Sequence, residues 1–169
     1  VSWSLSGNYN ETKITKLGVA PASLGGIPLF DLGARSNIET ASPKFKAIAS
    51  AFWKLGLVSA TARGTLYGET STYVSPDGGF KAPDGSTCCK QTVPTAFIVD
   101  LEANYKIFDG IELTAGANNV FNKRPPTVSL YPGTTNTTLV NGGNVIDAPL
   151  TSAYGINGGY YYGKVSFKF

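Results

Sequence analysis

Asp100 and Glu102 stand two residues apart in an alternating segment, a spacing that puts both carboxylates on one face of a strand, where a pair could do general acid–base work. The rest of the chain offers such chemistry little support. Its 169 residues contain no His, so the usual general base, the commonest metal ligand and any Ser–His pair for hydrolysis are missing. Arg63, in another alternating segment, falls at a similar height if neighbouring strands follow the register their turns suggest. A structural ion-pair network of Arg63, Asp100 and Glu102 therefore outweighs a catalytic reading, and no enzymatic activity and no cofactor are expected. Cys88 and Cys89 are adjacent in a long polar segment. A strained vicinal disulfide, separate partners and free thiols are all open, with a disulfide favoured in an oxidising compartment. Two neighbouring thiols without His are too few ligands for a metal site, so none is expected. In residues 127–157, Tyr131, Asn136, Asn141, Asn144, Asp147 and Tyr154 mix aromatic and amide groups suited to stacking on and hydrogen bonding with polar uncharged ligands. They are the candidates for substrate contact, although Gly, Thr and Asn are also ordinary turn residues.

The elements that would carry these residues announce themselves by a period of two. Val1, Trp3, Leu5, Gly7 and Tyr9 alternate with polar residues, and the same pattern recurs in Phe45–Trp53, Val58–Leu66, Phe97–Tyr105, Ile111–Ala117 and Tyr161–Phe169. Ile48 and Phe52 are exceptions on an otherwise polar face. Composition agrees: 20 Gly, nine Tyr and nine Phe with only 15% charged residues favour strands and turns. The net charge of +3 is dispersed, which argues against nucleic acid. No apolar run reaches the ~20 residues of a membrane helix.

Alternation alone fits a soluble sandwich equally well. Two regularities point elsewhere. Phe45 and Trp53, Phe97 and Tyr105, and Tyr161 and Phe169 are each eight residues apart on the apolar face, with small Ala and Gly between. Eight steps of ~3.3 Å tilted by about 40° rise roughly 20 Å, close to the ~25 Å apolar band that aromatic girdles bound in outer-membrane barrels. Connections also alternate: residues 13–42, 69–93 and 123–158 are long, whereas Leu55-Gly56 and Phe108-Asp109-Gly110 are tight. The second is expected to be a three-residue hairpin loop in which Ile107 opposes Ile111. Long loops then share one end, as they do on the outer side of such barrels. The expected fold is all-β, an antiparallel transmembrane β-barrel of which about six C-terminal strands are present. Six tilted strands cannot enclose a lumen, because the smallest such barrels have about eight, so residues 1–169 are expected to be the C-terminal part of a larger barrel domain.

The ending Tyr160-Tyr161-Tyr162-Gly163-Lys164-Val165-Ser166-Phe167-Lys168-Phe169 resembles the terminal strand recognised by the outer-membrane assembly machinery. Residues 112–126, ELTAGANNVFNKRPP, resemble the penultimate-strand motif of TonB-dependent receptors, in which alternating apolar residues lead into Asn-Asn, an apolar pair, Asn or Asp, and Lys. Ala96–Leu101 and Glu39–Lys44 also look familiar from that family. The resemblance implies a barrel of about 22 strands closed by an N-terminal plug, embedded in the bacterial outer membrane. It further implies partnership with the TonB energy-coupling complex through that plug, with the assembly machinery through the last strand, with membrane lipid, and with a small-molecule nutrient. Active uptake of a siderophore, cobalamin, carbohydrate or similar cargo is the function this implies; a passive porin or a surface-adhesin barrel without a plug is the alternative.

Overall fold

The computed structural model describes residues 1–18, 21–24, 30–73, 90–127, 148–149 and 151–168. It is mostly antiparallel sheet. Strands β1 (Ser2–Tyr9), β2 (Phe45–Leu55), β3 (Val58–Tyr67), β6 (Ala96–Phe108), β7 (Ile111–Asn118) and β8 (Tyr160–Phe167) form one six-stranded sheet in the order β1-β2-β3-β6-β7-β8. A two-stranded sheet pairs β4 (Thr70–Tyr73) with β5 (Lys90–Val93), and one helix, α1 (Leu32–Glu39), lies between β1 and β2.

Register converts the alternation of each strand into two continuous faces. Trp3 pairs with Ala51, Ala51 with Ala62, Ala62 with Leu101, Leu101 with Ala117 and Ala117 with Tyr161, so all the apolar sets share one side. The adjacent row, Ser2–Phe52–Thr61–Glu102–Gly116–Tyr162, lies on the other. Because the side-chain period is two, a slip by one residue in any strand would exchange the faces. The sheet does not close: β1 and β8 are its two edges.

Both tight turns are shorter or shifted relative to expectation. Leu55 pairs with Val58, so the first turn is Gly56-Leu57, with Gly56 at φ +57°. In the second, Phe108 pairs with Ile111 while Lys106 pairs with Glu112, leaving Ile107 as the extra residue of a bulge above a two-residue Asp109-Gly110 turn. Ile107 therefore does not oppose Ile111; the bulge absorbs the residue and adds local twist. Gly110 sits at φ +99°, and a Cβ there would lie 3.0 Å from the Lys168 carbonyl oxygen. Gly110→Ala is expected to destabilise the fold by about 1–2 kcal/mol, measured by equilibrium unfolding in denaturant.

The three long connections leave from and return to the opposite end of the sheet, and two of them contain structure that alternation does not reveal. Tyr67 pairs with Ala96 and Thr70 with Val93, the same offset, so β4–β5 continues the β3–β6 hairpin. The ladder is interrupted at Gly68-Glu69 and Pro94-Thr95, where Pro94 has no N–H to donate. Helix α1 begins where the Asp31 carboxylate accepts from the Ala34 N–H at 2.6 Å. It docks through Ser36, whose hydroxyl lies 3.2 Å from that of Thr72, and ends where Thr40 exchanges backbone and side-chain hydrogen bonds with Ser71. Val93, Ala96 and Ile98 are buried at this end of the strands, as are Ala148 and Pro149 of the third connection. The small core thus sits at the loop end, while the apolar face of the sheet has no cover: Trp3 is 78% and Tyr161 75% exposed.

Candidate functional site

On the polar face a chain of hydrogen bonds crosses three strands. Thr114 Oγ1 donates to Asn104 Oδ1 (2.6 Å), Asn104 Nδ2 to Glu102 Oε1 (3.3 Å), and Tyr162 Oη to Glu102 Oε2 (2.7 Å). Arg63 pairs directly with Asp100 in the register, and Thr61 with Glu102, which places the three charged residues together as their spacing implied. They do not form the expected ion-pair network: among the described residues the only pair within 4.0 Å is Lys44–Glu11. Asp100 instead accepts the Asn119 backbone N–H at 2.8 Å, and Glu102 is taken by Tyr162 and Asn104. A charge-assisted bond to a fixed backbone donor costs less side-chain freedom than a salt bridge to a solvent-exposed Arg. Thr61, Arg63, Asp100, Glu102, Asn118 and Tyr162 line a depression of about 170 Å³. It holds both hydrogen-bond donors and acceptors.

Asp100 anchors an elbow that ends β7. Asn119 and Asn122 both adopt φ +51°, a left-handed conformation that Asn tolerates better than most residues. Asn119 Nδ2 donates to the Lys123 carbonyl (2.7 Å) while its Oδ1 accepts the Lys123 N–H (2.9 Å). Asn122 N–H closes on the Asn119 carbonyl (2.7 Å), and Asn122 Oδ1 accepts the Gly159 N–H (3.0 Å) ahead of β8. The Asn-Asn and Asn-Lys pairs of the sequence motif are therefore structural. They turn the chain out of the sheet and fix where the last strand starts.

On the apolar face, Phe45, Trp53, Phe97, Tyr105 and Tyr161 are all exposed; Phe169 lies outside the described residues. Phe121, in the elbow, and Phe167 are equally exposed additions that the eight-residue interval could not reveal. The aromatic positions at the loop end step obliquely across the sheet. Phe97 pairs with Leu66 and Leu66 with Ala47, two residues deeper than Phe45. Tyr161 pairs with Ala117 and Ala117 with Leu101, four residues deeper than Phe97. At the turn end, Trp53 pairs with Ala60 and Ala60 with Ala103, so Tyr105 is again two residues further on.

Of the substrate-contact candidates, Tyr154 is described; Tyr131, Asn136, Asn141, Asn144 and Asp147, like Cys88 and Cys89, lie outside the described residues. Tyr154 is half-buried, its ring centroid 6.1 Å from that of Tyr67, and its hydroxyl has no hydrogen-bond partner among the described residues. Burial pushes its phenol above the ordinary range. It packs rather than presents a free hydroxyl.

Near the start of β2, the Lys44 ammonium pairs with the Glu11 carboxylate, tying the ends of the first long connection. The hydrogen bond from Lys44 holds Glu11 below the usual carboxylate range and holds Lys44 above its own. Because the Glu11 titration is depressed, its contribution is present above the ordinary Glu range and is lost as pH falls through the depressed value. Replacing Lys44 by Gln is expected to return Glu11 toward the ordinary range, read by NMR titration of its carboxyl carbon.

No protein-family model and no curated protein matches the chain. No helix among the described residues is long and apolar enough to cross a membrane, which says nothing of crossing by strands.

Proposed function

We propose that the chain is part of the wall of an outer-membrane β-barrel belonging to a plugged, TonB-dependent transporter that takes up a scarce nutrient. The oblique line of aromatic residues carries the membrane reading. From Phe45 to Tyr161 the boundary deepens by six residues along the register. Six residues of ~3.3 Å over four strand spacings of ~4.8 Å correspond to a tilt of about 45°, at the upper end of the about 35–45° at which strands cross the outer membrane. A horizontal bilayer boundary traced on tilted strands must drift in this way, and a sandwich core has no reason to. The uncovered apolar face and the clustering of long connections at one end support the same reading. The open edges at β1 and β8 require further strands in lipid, since hydrocarbon cannot satisfy their backbone groups.

The resemblance of residues 112–126 and of the terminal strand supports a plugged receptor over a simple pore. Energy dependence separates them. Cells carrying the intact gene are expected to accumulate a labelled nutrient that cells lacking it do not, and to stop when the proton-motive force is dissipated. Uptake that persists without it would replace the receptor with a passive porin; no uptake of any siderophore, cobalamin or carbohydrate tested would favour an adhesin.

A further inference from the structure

The apolar face carries a groove of about 540 Å³, floored by Ala60, Ala62, Ala103 and Ala115 and fenced at its ends by Trp53 and Tyr161. Its lining is almost wholly apolar, so nothing in it can orient a polar ligand. From β2 to β8 the groove crosses four strand spacings, about 19 Å at ~4.8 Å each, which is the length of an extended acyl chain of roughly sixteen carbons. At the Tyr161 end, the phenol reaches the Val120 carbonyl oxygen (3.5 Å) in the elbow that also carries Lys123 and Arg124. Both basic side chains are exposed, and neither makes an ion pair among the described residues. Arg124 is held beside Gly158, just ahead of β8, where its Nε would lie 2.8 Å from an added Cβ.

Resting on the membrane reading above, we propose that this groove and the Lys123-Arg124 pair together hold one lipid with a net-anionic phosphate head group, its acyl chain on the alanine floor and its phosphate on the two cations. Two independent features, an apolar slot of acyl length and, at one end, two positive charges with no ion pair among the described residues, fit one amphiphile. A second copy of the chain fits less well. Convex barrel walls meet on their bulky flanks, here Trp53, Leu101 and Tyr161, and would leave the floor empty, whereas a flexible chain reaches it.

The test uses the full-length protein extracted from membranes in mild detergent, with native mass spectrometry following retention of added dipalmitoyl-phosphatidylglycerol or dipalmitoyl-phosphatidylcholine. These probes share their chains and differ in net charge. The wild type is expected to retain the anionic lipid roughly tenfold better, and Lys123→Gln with Arg124→Gln to abolish that preference. Ala62→Phe, which fills the floor while keeping it apolar, is expected to lower retention of both lipids by roughly tenfold. Equal retention of the two lipids by the wild type, or no effect of Ala62→Phe in protein that still folds, would overturn the proposal while leaving the membrane reading intact. Disulfide-linked dimers of an Ala62→Cys variant, with no retained lipid, would assign the groove to a second copy. A wild-type protein that leaves the membrane without detergent would remove both readings.

Discussion

Ala49→Arg is expected to cost about 2–4 kcal/mol of folding free energy in lipid vesicles, whereas Thr61→Arg costs close to nothing. Ala49 pairs with Leu5 on one side and Gly64 on the other, in the middle of the uncovered apolar face and well inside the aromatic boundaries. If that face meets lipid, as proposed, an Arg there must drag its guanidinium through hydrocarbon toward either interface. Thr61 lies on the opposite face, directly across from Glu102, where a positive charge meets both water and a carboxylate. In aqueous solution the contrast should vanish, because Ala49 is already exposed there. Folding yield and unfolding free energy of the full-length variants in vesicles measure it, and equal costs for the two would refute the assignment of the faces.

The second large effect is at Asn119. Its left-handed backbone, its burial at 7% exposure and its paired bonds to Lys123 combine in one residue. Asn119→Ala is expected to lose about 1 kcal/mol of conformational fit and about 1 kcal/mol for each of two hydrogen bonds, a total of about 2–4 kcal/mol. Asn119→Gly removes the strain but not the lost bonds, so it should recover roughly 1 kcal/mol of that. Denaturant unfolding of the two variants separates backbone from side chain: equal losses in Ala and Gly would mean that the left-handed conformation contributes nothing.

Much of the sheet was legible because a period of two is written directly in residue type. The apolar sets from Val1 to Phe167 fall on one face, and Gly56 and Gly110 mark the turns by their positive φ. Loop-end structure was hidden for physical reasons. Helix α1 has no strong apolar stripe; an Asp31 cap and polar contacts from Ser36 and Thr40 to β4 hold it. Strands β4 and β5 are four residues each and largely polar, so only their shared offset with β3 and β6 identifies them. For the candidate site, spacing correctly brought Arg63, Asp100 and Glu102 together. It could not foresee that Asp100 would be claimed by the Asn119 N–H and Glu102 by Tyr162, because those partners come from a turn and from a strand 60 residues away. Two Asn residues followed by Val-Phe-Asn-Lys were the available signal for that turn.

The two-residue turns bear on which changes of chain length this sheet can inherit. With Leu55 locked to Val58 and Phe108 to Ile111, deletion of a single residue inside β2, β3 or β7 cannot be taken up at the turn and would send every later side chain of that strand to the wrong face. Residues can be gained or lost freely only above the aromatic boundary at the loop end, or in compensated pairs within a strand. Diversification of such a sheet is thus confined by geometry to the end where the long connections begin and return.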